Sequence, residues 1–493
     1  MIDNIVRTRF APSPTGFMHV GNLRTALYEY LVARSLGGRF ILRIEDTDQG
    51  RLVDGSVEVI YRTLRDVGLT HDEGPDIGGE YGPYTQSERK DIYKPYAEDL
   101  VRNGHAYYCF CTKERLDGLH TLENGESNES FPSGYDRHCR HLSPEQIDTN
   151  LQSGIPYVIR QKMPMSGSTT FDDTVFGLIT VENTELEDQV LLKSDGFPTY
   201  NFANVVDDHL MNITHVVRGS EYLSSTPKYN LLYESFGWKI PVYVHLPLIM
   251  GKNEDGTVTK LSKRHGSTGY EDLINEGYLK EAIINYIALL GWCPKENIEL
   301  MDLQGLIERF SIDGISKSPA VFDYDKLRWF NSEYIKKMQP EQFEAIISKE
   351  LQAINHSGVL NCSKIAELLQ TRISRLTEVP ELINFFGQLP EYTTDLFVHQ
   401  KMKSTVDSSL SYMSEALPEL KSLQNWSMEN IHELLIRFAS ERGIKNGQIM
   451  WPIRTALSGQ PGSPGGAVEL LFVLGKEESI SRIQHGLDLL KNT

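Results

Sequence analysis

The segment from residue 5 to residue 44 constrains the fold of this chain more than any other stretch. Residues 5–10 are short, partly β-branched and followed by two prolines, as in a buried parallel strand. A helical apolar face comes next, formed by Leu23, Ala26, Leu27, Tyr30 and Leu31. Gly37 and Gly38 mark the end of that helix, and residues 40–44 read as the next strand. The spacing predicts a βαβ unit whose ligands bind beyond the carboxyl ends of the strands.

The turn between the first strand and the helix carries His19 and Gly21. Backbone N–H groups at a helix N-terminus attract phosphate, and a histidine there adds a further N–H donor. Gly16 and Gly21 allow nucleotide atoms to approach the backbone closely. The turn therefore predicts a nucleotide-phosphate site. The alternative is that His19 only caps the helix.

A basic loop lies far downstream, at Lys260-Leu261-Ser262-Lys263-Arg264. Its ammonium groups could follow the β- and γ-phosphates of a nucleotide into a transition state. Several glycines flank the loop, which suits a segment that opens and closes. Taken alone, the run favours a solvated basic turn, but its coincidence with the His19 turn favours a functional site.

Size and charge bound the remaining possibilities. A chain of 493 residues suggests about three to five structural units at roughly 100 to 200 residues per domain. Its 49 basic and 67 acidic residues give a formal charge of -18, so a nucleic-acid partner would need local basic patches. The N-terminus lacks an apolar leader and no run approaches the roughly 20 apolar residues that span a bilayer. These features predict a soluble cytoplasmic protein with no membrane contact.

The remainder of the chain suggests a split nucleotide fold followed by helices. Strand-rich sequence is expected to return at residues 200–208, 213–218 and 242–249, which makes residues 91–195 an insertion. Residues 279–290 have a helical pattern. Two apolar stripes follow, one at Ile365, Leu368, Leu369, Ile373 and Leu376 and one at Ile431, Leu434, Leu435 and Phe438, the latter closed by Gly443.

The sequences of the His19 turn and the lysine loop resemble the signature motifs of the class I aminoacyl-tRNA synthetases. Phe10-Ala11-Pro12-Ser13-Pro14-Thr15-Gly16 and Arg43-Ile44-Glu45-Asp46-Thr47-Asp48 resemble the glutamyl-tRNA synthetases in particular. Asn22 stands at the fourth position of the family's His-Ile-Gly-His pattern, where it can donate a hydrogen bond but carries no charge. In the lysine loop, Leu261 and Arg264 replace the Met and final Ser of the Lys-Met-Ser-Lys-Ser signature.

The resemblance covers nearly the whole chain and implies its activity. A glutamyl-tRNA synthetase uses ATP and Mg²⁺ to activate L-glutamate as an adenylate, with tRNA present, and transfers the glutamyl group to the 3′-terminal adenosine of tRNA(Glu). The implied catalytic residues are His19, Gly21, Asn22, Lys260 and Lys263. The implied ATP-binding residues are His19, Gly21, Glu221, Lys260, Ser262 and Lys263. The family also implies a monomer.

Selection of glutamate over glutamine requires recognition of charge, because the two side chains share a shape. A guanidinium that forms a charge-assisted fork with the carboxylate can provide it. The positions that the resemblance assigns to glutamate binding are Arg9, Ala11, Ser13, Glu45, Tyr200, Asn204 and Arg218. Arg218 is the expected main partner of the side-chain carboxylate, and Glu45 is expected to face the ammonium group. Ordinary alternatives are that Arg9 ends a strand in solvent and that Tyr200 belongs to the core.

The five cysteines are an odd number, and three of them cluster, which favours a metal or free thiols over a disulfide framework. Cys109 and Cys111 form one i, i+2 pair, and Cys139 and His141 form another. On extended strands such pairs project to one face, so two arms could present four ligands to a tetrahedral Zn²⁺. Some bacterial glutamyl-tRNA synthetases carry such a site, and the resemblance favours one structural zinc per chain over free thiols. His138 is the competing imidazole.

The predicted fold class is an α/β Rossmann-like catalytic domain split by an α/β insertion and followed by an all-α anticodon-binding region. The predicted domains are residues 1–90 with 196–250 (catalytic), 91–195 (acceptor-end insertion with the zinc site), 251–335 (stem contact with the lysine loop), and 336–405 and 406–493 (anticodon-binding helices). A glutaminyl-tRNA synthetase would end in β-barrels, and the short paralogue that glutamylates queuosine lacks an anticodon domain. A silent tRNA-binding relative is disfavoured because His19 and both lysines are present.

Overall fold

The computed structural model describes residues 5–123, 135–355, 358 and 360–492, without the side chains of Gln49, residues 120–123 and Lys263. The chain divides into two compact units. The first comprises residues 1–273 with 283–323, and the second comprises residues 274–282 with 324–493. The finer division into five domains stays a prediction.

The described strands are β1 (Arg7–Phe10), β2 (Arg39–Leu42), β3 (Ala106–Cys109), β4 (Val158–Gln161), β5 (Ser168–Asp173), β6 (Gly177–Glu182), β7 (Val190–Leu192), β8 (His215–Gly219), β9 (Val242–Leu246), β10 (Ile249–Lys252), β11 (Val258–Lys260) and β12 (Ala320–Phe322). The described α-helices are α1 (Val20–Ser35), α2 (Ser56–Asp66), α3 (Lys90–Arg102), α4 (Lys113–Glu123), α5 (Pro144–Gln152), α6 (Tyr200–Leu210), α7 (Thr226–Phe236), α8 (Tyr270–Asn275), α9 (Lys280–Ala288), α10 (Leu303–Arg309), α11 (Tyr324–Lys337), α12 (Pro340–Ile346), α13 (Ser348–Ile354), α14 (Cys362–Gln370), α15 (Val379–Gly387), α16 (Val406–Ser422), α17 (Met428–Glu441), α18 (Asn446–Ser458) and α19 (Ala467–Lys491).

The predicted βαβ unit is confirmed. Strands β1 and β2 pair in parallel, with Arg7 opposite Arg39 and Phe10 opposite Leu42, and α1 connects them. The predicted apolar face of α1 is buried, and the chain leaves the helix through Gly37 at a φ of 65°. A Cβ on the next residue, Gly38, would lie 2.2 Å from the carbonyl oxygen of Val6, so only glycine lets the chain pass so close to the strand entrance.

Three further sheets complete the first unit among the described residues. One has the order β6-β5-β9-β8, and β8 and β9 run parallel. The backbone N–H of Thr214 donates to the carbonyl of Arg7 at 3.0 Å, which places the start of β8 beside β1. The sheet β11-β10-β12 carries the lysine loop, and the sheet β3-β4-β7 lies within the predicted insertion. Since the start of β8 lies beside the start of β1, the carboxyl ends of these two strands come together at one edge.

One strand prediction is wrong. Residues 200–208 form most of helix α6 instead of returning as a strand. Two β-branched valines in this segment favoured a strand locally. The buried positions Phe202, Ala203, Val205 and Val206 nevertheless follow helical spacing, and they pack in one core with Tyr93. Tertiary burial of that face outweighs the weak local preference for strand.

The second unit is built from helices α11–α19, so the predicted helical C-terminal region is confirmed. The stripe predicted at residues 431–438 lies on α17 and is buried, and Gly443 follows at a φ of 62°. The other stripe is only partly helical, because α14 ends at Gln370 and Ile373 lies beyond it. Within the described parts of the chain, the helices lack the length and apolar character required to cross a bilayer.

Candidate active site

A cavity of about 670 Å³ opens at the edge where β1 and β8 end. Its walls come from residues 9–15, the loop after β2, the start of α6 and residues 217–222. This position, beyond the carboxyl ends of parallel strands, is the one that the βαβ pattern predicted.

The cavity brings together many of the predicted site residues. Those that line it are Arg9, Ala11, Ser13, Asn22, Glu45, Tyr200, Arg218 and Glu221. Among the described residues, those that do not line it are His19, Gly21, Asn204, Lys260 and Ser262. The side chain of Lys263 lies outside the described part of the structure. The cavity thus contains most of the predicted glutamate positions and few of the predicted phosphate positions.

Arg218 stands out in the cavity wall because its positive charge is buried and no described carboxylate pairs with it. Only 5% of the residue is exposed, and no described carboxylate lies within ion-pair distance of its guanidinium. Its Nε donates to His245 Nε2 at 3.1 Å, and its Nη2 donates to Thr226 Oγ1 at 2.8 Å. An unpaired buried charge is costly, so this site is suited to a ligand that brings a carboxylate.

Arg9 differs from Arg218 because its charge is already neutralised inside the protein. Its Nε donates to Asp208 at 3.0 Å and its Nη1 to Glu29 at 3.3 Å. The same Asp208 accepts from Arg43 at 2.7 Å, which extends the ion pairs behind the cavity. Arg9 therefore does not end the strand in solvent, since only 4% of it is exposed. Sequence reasoning missed Arg43, Glu29 and Asp208, whose pairing joins segments far apart in the chain.

Glu45 is buried at the cavity, and its two carboxylate oxygens differ in their hydrogen bonds. The described donors to this carboxylate, Arg43 at 2.8 Å and Gln86 at 3.4 Å, all bond to Oε1. Burial raises the pKa of Glu45 above its usual value, although Arg43 and Arg9 oppose the shift. A ligand ammonium group near Oε2 would favour the charged form.

The start of α6 supplies an aromatic wall. Tyr200 lies 5.7 Å from Tyr222 between ring centroids, and it is only partly buried, so it is not a core residue. Burial of its hydroxyl raises the pKa of Tyr200 well above the usual value. Asn204 is buried one turn later and donates its Nδ2 to the carbonyl of Tyr200 at 2.8 Å, so it acts on the helix start and not on the cavity surface.

The His19 turn has the geometry of a helix cap. His19 is the N-cap of α1, and its Nδ1 accepts the backbone N–H of Gly21 at 3.0 Å. In the neutral ring this hydrogen bond places the proton on Nε2. The backbone on each side is fixed, because Val20 N–H donates to Thr268 O at 2.8 Å and Tyr270 N–H donates to Met18 O at 2.9 Å. These two bonds join the turn directly to the segment that follows the lysine loop.

The lysine loop ends a hairpin formed by β10 and β11. Lys260 is the last residue of β11 and is exposed. A histidine that sequence reasoning missed organises the loop, since His265 Nδ1 accepts the backbone N–H of Ser262 at 3.1 Å. A Cβ on Gly251 would lie 2.5 Å from the ring of His265, so the glycine makes room for it. The contact depends on the pairing of Gly251 with Thr259 across the hairpin, which no sequence motif indicated.

The cysteine cluster is present, but the structure does not bring the predicted fourth ligand, His141, to it. Cys109, Cys111 and Cys139 bring sulfur atoms within 4.8 Å of one another, and neither His141 nor His138 belongs to this group among the described residues. Residues 138–141 form a 3₁₀ turn instead of an extended arm. At about three residues per turn, positions i and i+2 lie on different sides, which explains why His141 is exposed.

Tyr135 takes the place that was expected for His141. Its hydroxyl lies 3.1 Å from Cys109 Sγ and 3.8 Å from Cys111 Sγ, and the residue is buried. Three thiols and a phenol oxygen are therefore gathered together, and four is the number of donors that a tetrahedral zinc takes. No sequence pattern identified Tyr135, because tyrosine is not among the usual zinc ligands.

Comparisons with known proteins agree with this geometry. Residues 5–329 match the family model described as tRNA synthetases class I (E and Q), catalytic domain, and residues 324–487 match an anticodon binding domain. The glutamate–tRNA ligase of Clostridium botulinum is 58% identical over 493 residues, covering 100% of both chains. That of Clostridium tetani is 55% identical, covering 100% of this chain and 99% of the relative. The crystal structure of a glutamate tRNA ligase from Elizabethkingia meningosepticum in complex with its amino acid is 38% identical, with a TM-score of 0.89, and covers 98% of this chain and 99% of that one.

Proposed function

Since this chain belongs to the glutamate–tRNA ligase family of class I tRNA synthetases, we propose that its cavity is the place where L-glutamate is bound and activated by ATP. The family reaction joins glutamate to tRNA and consumes ATP with its Mg²⁺. The observation that carries the site assignment is the buried guanidinium of Arg218 in the cavity wall, which forms no ion pair with a described carboxylate. A glutamate side chain supplies the carboxylate that this guanidinium needs.

The other cavity residues suit the remaining groups of the amino acid. Glu45 receives the ammonium group, since its described protein donors all use Oε1. Tyr200 and the backbone around Ala11 and Ser13 shape the walls. Arg9 pairs with Asp208 and Glu29 behind the site, so its proposed contribution is to hold the cavity wall in place.

The phosphate chemistry is proposed for the turn and the loop outside the cavity lining. The α-carboxylate of glutamate attacks the α-phosphorus of ATP, the bond to the β-phosphate oxygen breaks, and pyrophosphate leaves with the developing negative charge. His19 Nε2–H and the N-terminus of α1 donate to that charge, while Lys260 and Lys263 stabilise the leaving phosphates. The backbone bonds that join Met18 and Val20 to the 268–270 segment support this proposal, because they hold both motifs near one another.

ATP/pyrophosphate exchange tests the function itself. We expect exchange with glutamate when homologous tRNA is added, and little exchange with glutamine, because an amide cannot neutralise Arg218. Glutamate and glutamine should be compared at equal concentrations, each with and without tRNA. Equal exchange with glutamine would contradict the proposed selectivity, and no exchange under any condition would contradict the activity.

We also propose a structural zinc held by Cys109, Cys111 and Cys139, with the Tyr135 hydroxyl as fourth donor. The gathering of three sulfur atoms within 4.8 Å and the short Cys109–Tyr135 contact support it. Bound zinc would brace the β3 hairpin arm against the 3₁₀ turn and would take no part in the reaction. The family expectations of a monomeric, cytoplasmic enzyme that charges tRNA(Glu) stay predictions.

Metal analysis of the purified protein tests the zinc site. We expect about one zinc per chain, lost in Cys139→Ser together with a lower melting temperature. Tyr135→Phe should weaken zinc retention against a chelator, because it removes one donor. His141→Ala is the matched control and should keep both zinc and stability. Loss of zinc in His141→Ala with retention in Tyr135→Phe would restore the original four-residue set.

A further inference from the structure

Two buried residues that no motif identified stand behind Arg218. Asp173 ends β5, His245 lies in β9, and Arg218 lies in β8, so the three occupy neighbouring strands of one sheet. Arg218 and His245 are direct partners in the β8–β9 register. Their exposed fractions are 1% for Asp173, 0% for His245 and 5% for Arg218. Sequence reasoning placed His245 in an expected strand and Asp173 in the insertion, and it assigned a role only to Arg218.

In the hydrogen bonds among these residues, Arg218 donates to His245 and His245 donates to Asp173. Asp173 Oδ2 accepts from His245 Nδ1 at 2.6 Å and from the His245 backbone N–H at 3.1 Å. Its Oδ1 accepts the backbone N–H groups of Val175 at 3.0 Å and Phe176 at 2.7 Å. A carboxylate only accepts, so the proton of the imidazole lies on Nδ1 and the lone pair lies on Nε2. That lone pair accepts Arg218 Nε–H at 3.1 Å.

The protonation states are consistent with this chain of bonds. Burial lowers the pKa of His245 below its usual value, partly offset by Asp173, so the ring is neutral near pH 7. Burial alone would raise the pKa of Asp173, but the hydrogen bonds from His245 and the backbone outweigh it and the pKa lies below its usual value. A protonated His245 would instead point an N–H at the guanidinium and repel it.

The chain of bonds determines which edge of Arg218 remains for a ligand. Nε is bonded to His245 and Nη2 to Thr226, so the side edge of the guanidinium is occupied. The end edge, formed by Nη1 and the second N–H of Nη2, retains donors for a bidentate carboxylate. The rings of Tyr222, Tyr229 and Tyr243 lie 5.2, 4.7 and 5.4 Å from Arg218 Cζ and limit other orientations.

We propose that Asp173 and His245 are positioning residues that orient Arg218 for the side-chain carboxylate of glutamate. This inference rests on the proposed role of Arg218 in glutamate binding. Asp173 belongs to residues 91–195, so the segment predicted to hold the acceptor end of tRNA also contributes to the amino-acid site. The alternative is that the Asp173–His245 pair only satisfies buried polar groups of the sheet.

Steady-state aminoacylation by two variants of His245 tests the proposal. His245→Leu removes the acceptor of Arg218 and should raise the KM for glutamate at least about tenfold, about 1.4 kcal/mol, with the KM for ATP unchanged. His245→Gln places a carbonyl oxygen near the position of Nε2 and should recover most of the affinity. His215→Leu, a histidine change in the same sheet that does not touch Arg218, is the matched control. If His245→Leu does not fold, His245→Asn, too short to reach Arg218, replaces it with the same expectation.

A double-mutant cycle separates positioning from stability. In an Arg218→Ala background, His245→Leu should cause no further rise in the KM for glutamate, because the residue it positions is gone. Independent effects, or an unchanged KM for glutamate in the single His245 variants, would overturn the proposal. An Arg218→Ala variant with normal KM for glutamate would instead overturn the role of Arg218. The two failures are therefore distinguishable.

Discussion

Arg218→Ala should lower kcat/KM for glutamate by about 100- to 4,000-fold, matching the 3 to 5 kcal/mol lost when one partner of a buried charge pair is removed. The guanidinium is buried and lacks a described acidic partner, so the substrate carboxylate is its proposed counter-ion. The loss should lie mainly in KM for glutamate, and the KM for ATP should stay near that of the unaltered enzyme. Aminoacylation kinetics with varied glutamate measures it.

Two further variants sharpen that test. Arg218→Lys keeps the charge but loses the forked geometry, and its activity should lie between those of the alanine variant and the unaltered enzyme. Arg34→Ala removes an arginine of the same unit that is already paired with Asp72 at 2.8 Å, and it should leave kinetics unchanged. Normal glutamate kinetics in Arg218→Ala would move carboxylate recognition to another residue. The preference for glutamate over glutamine should also fall in Arg218→Ala.

His19→Ala should lower kcat for activation by about 100- to 1,000-fold, the usual cost of removing one preorganised donor to a developing charge. Because the donor acts on the leaving phosphates in the transition state, the KM for glutamate should change little. Pyrophosphate exchange with tRNA present measures the activation step directly.

The matched variant for His19 is asparagine, because the structure separates its two possible roles. His19→Asn keeps an acceptor for the Gly21 N–H and is a strong N-cap, so the helix should stay stable. It lacks a donor at the position of Nε2, so activation should fall as far as in His19→Ala. Full activity in His19→Asn would show that His19 only caps the helix.

The elements that could be predicted from the sequence are those with a clear local pattern of apolar residues and glycines. The β1–α1–β2 unit has a clear apolar period with glycines at its end, and the cavity lies at the strand ends where this unit predicted ligands. Helix α6 was misread because its valines carry a local strand preference that core packing overrides. The family resemblance is confirmed by relatives that match over the whole chain.

Residues whose role depends on distant partners could not be predicted. His245 and Asp173 meet only because β9 lies beside both β5 and β8, and a histidine inside an apolar strand resembles an ordinary core residue. Tyr135 joins the thiols because the 138–141 segment turns, and spacing alone predicted an extended arm. The roles of Lys260 and Lys263 stay predictions from the resemblance.

The backbone bonds between the His19 turn and residues 268–270 have a consequence for the order in which the enzyme is made. A nascent chain emerges from the ribosome N-terminus first, and domains generally fold as they emerge. The backbone bonds of Met18 to Tyr270 and of Val20 to Thr268, and the bridge between His19 and Gly269, form only after translation passes residue 270. The first-made motif of the nucleotide site therefore waits for more than half of the chain, and a product terminated before that point carries the signature turn without the segment that fixes it.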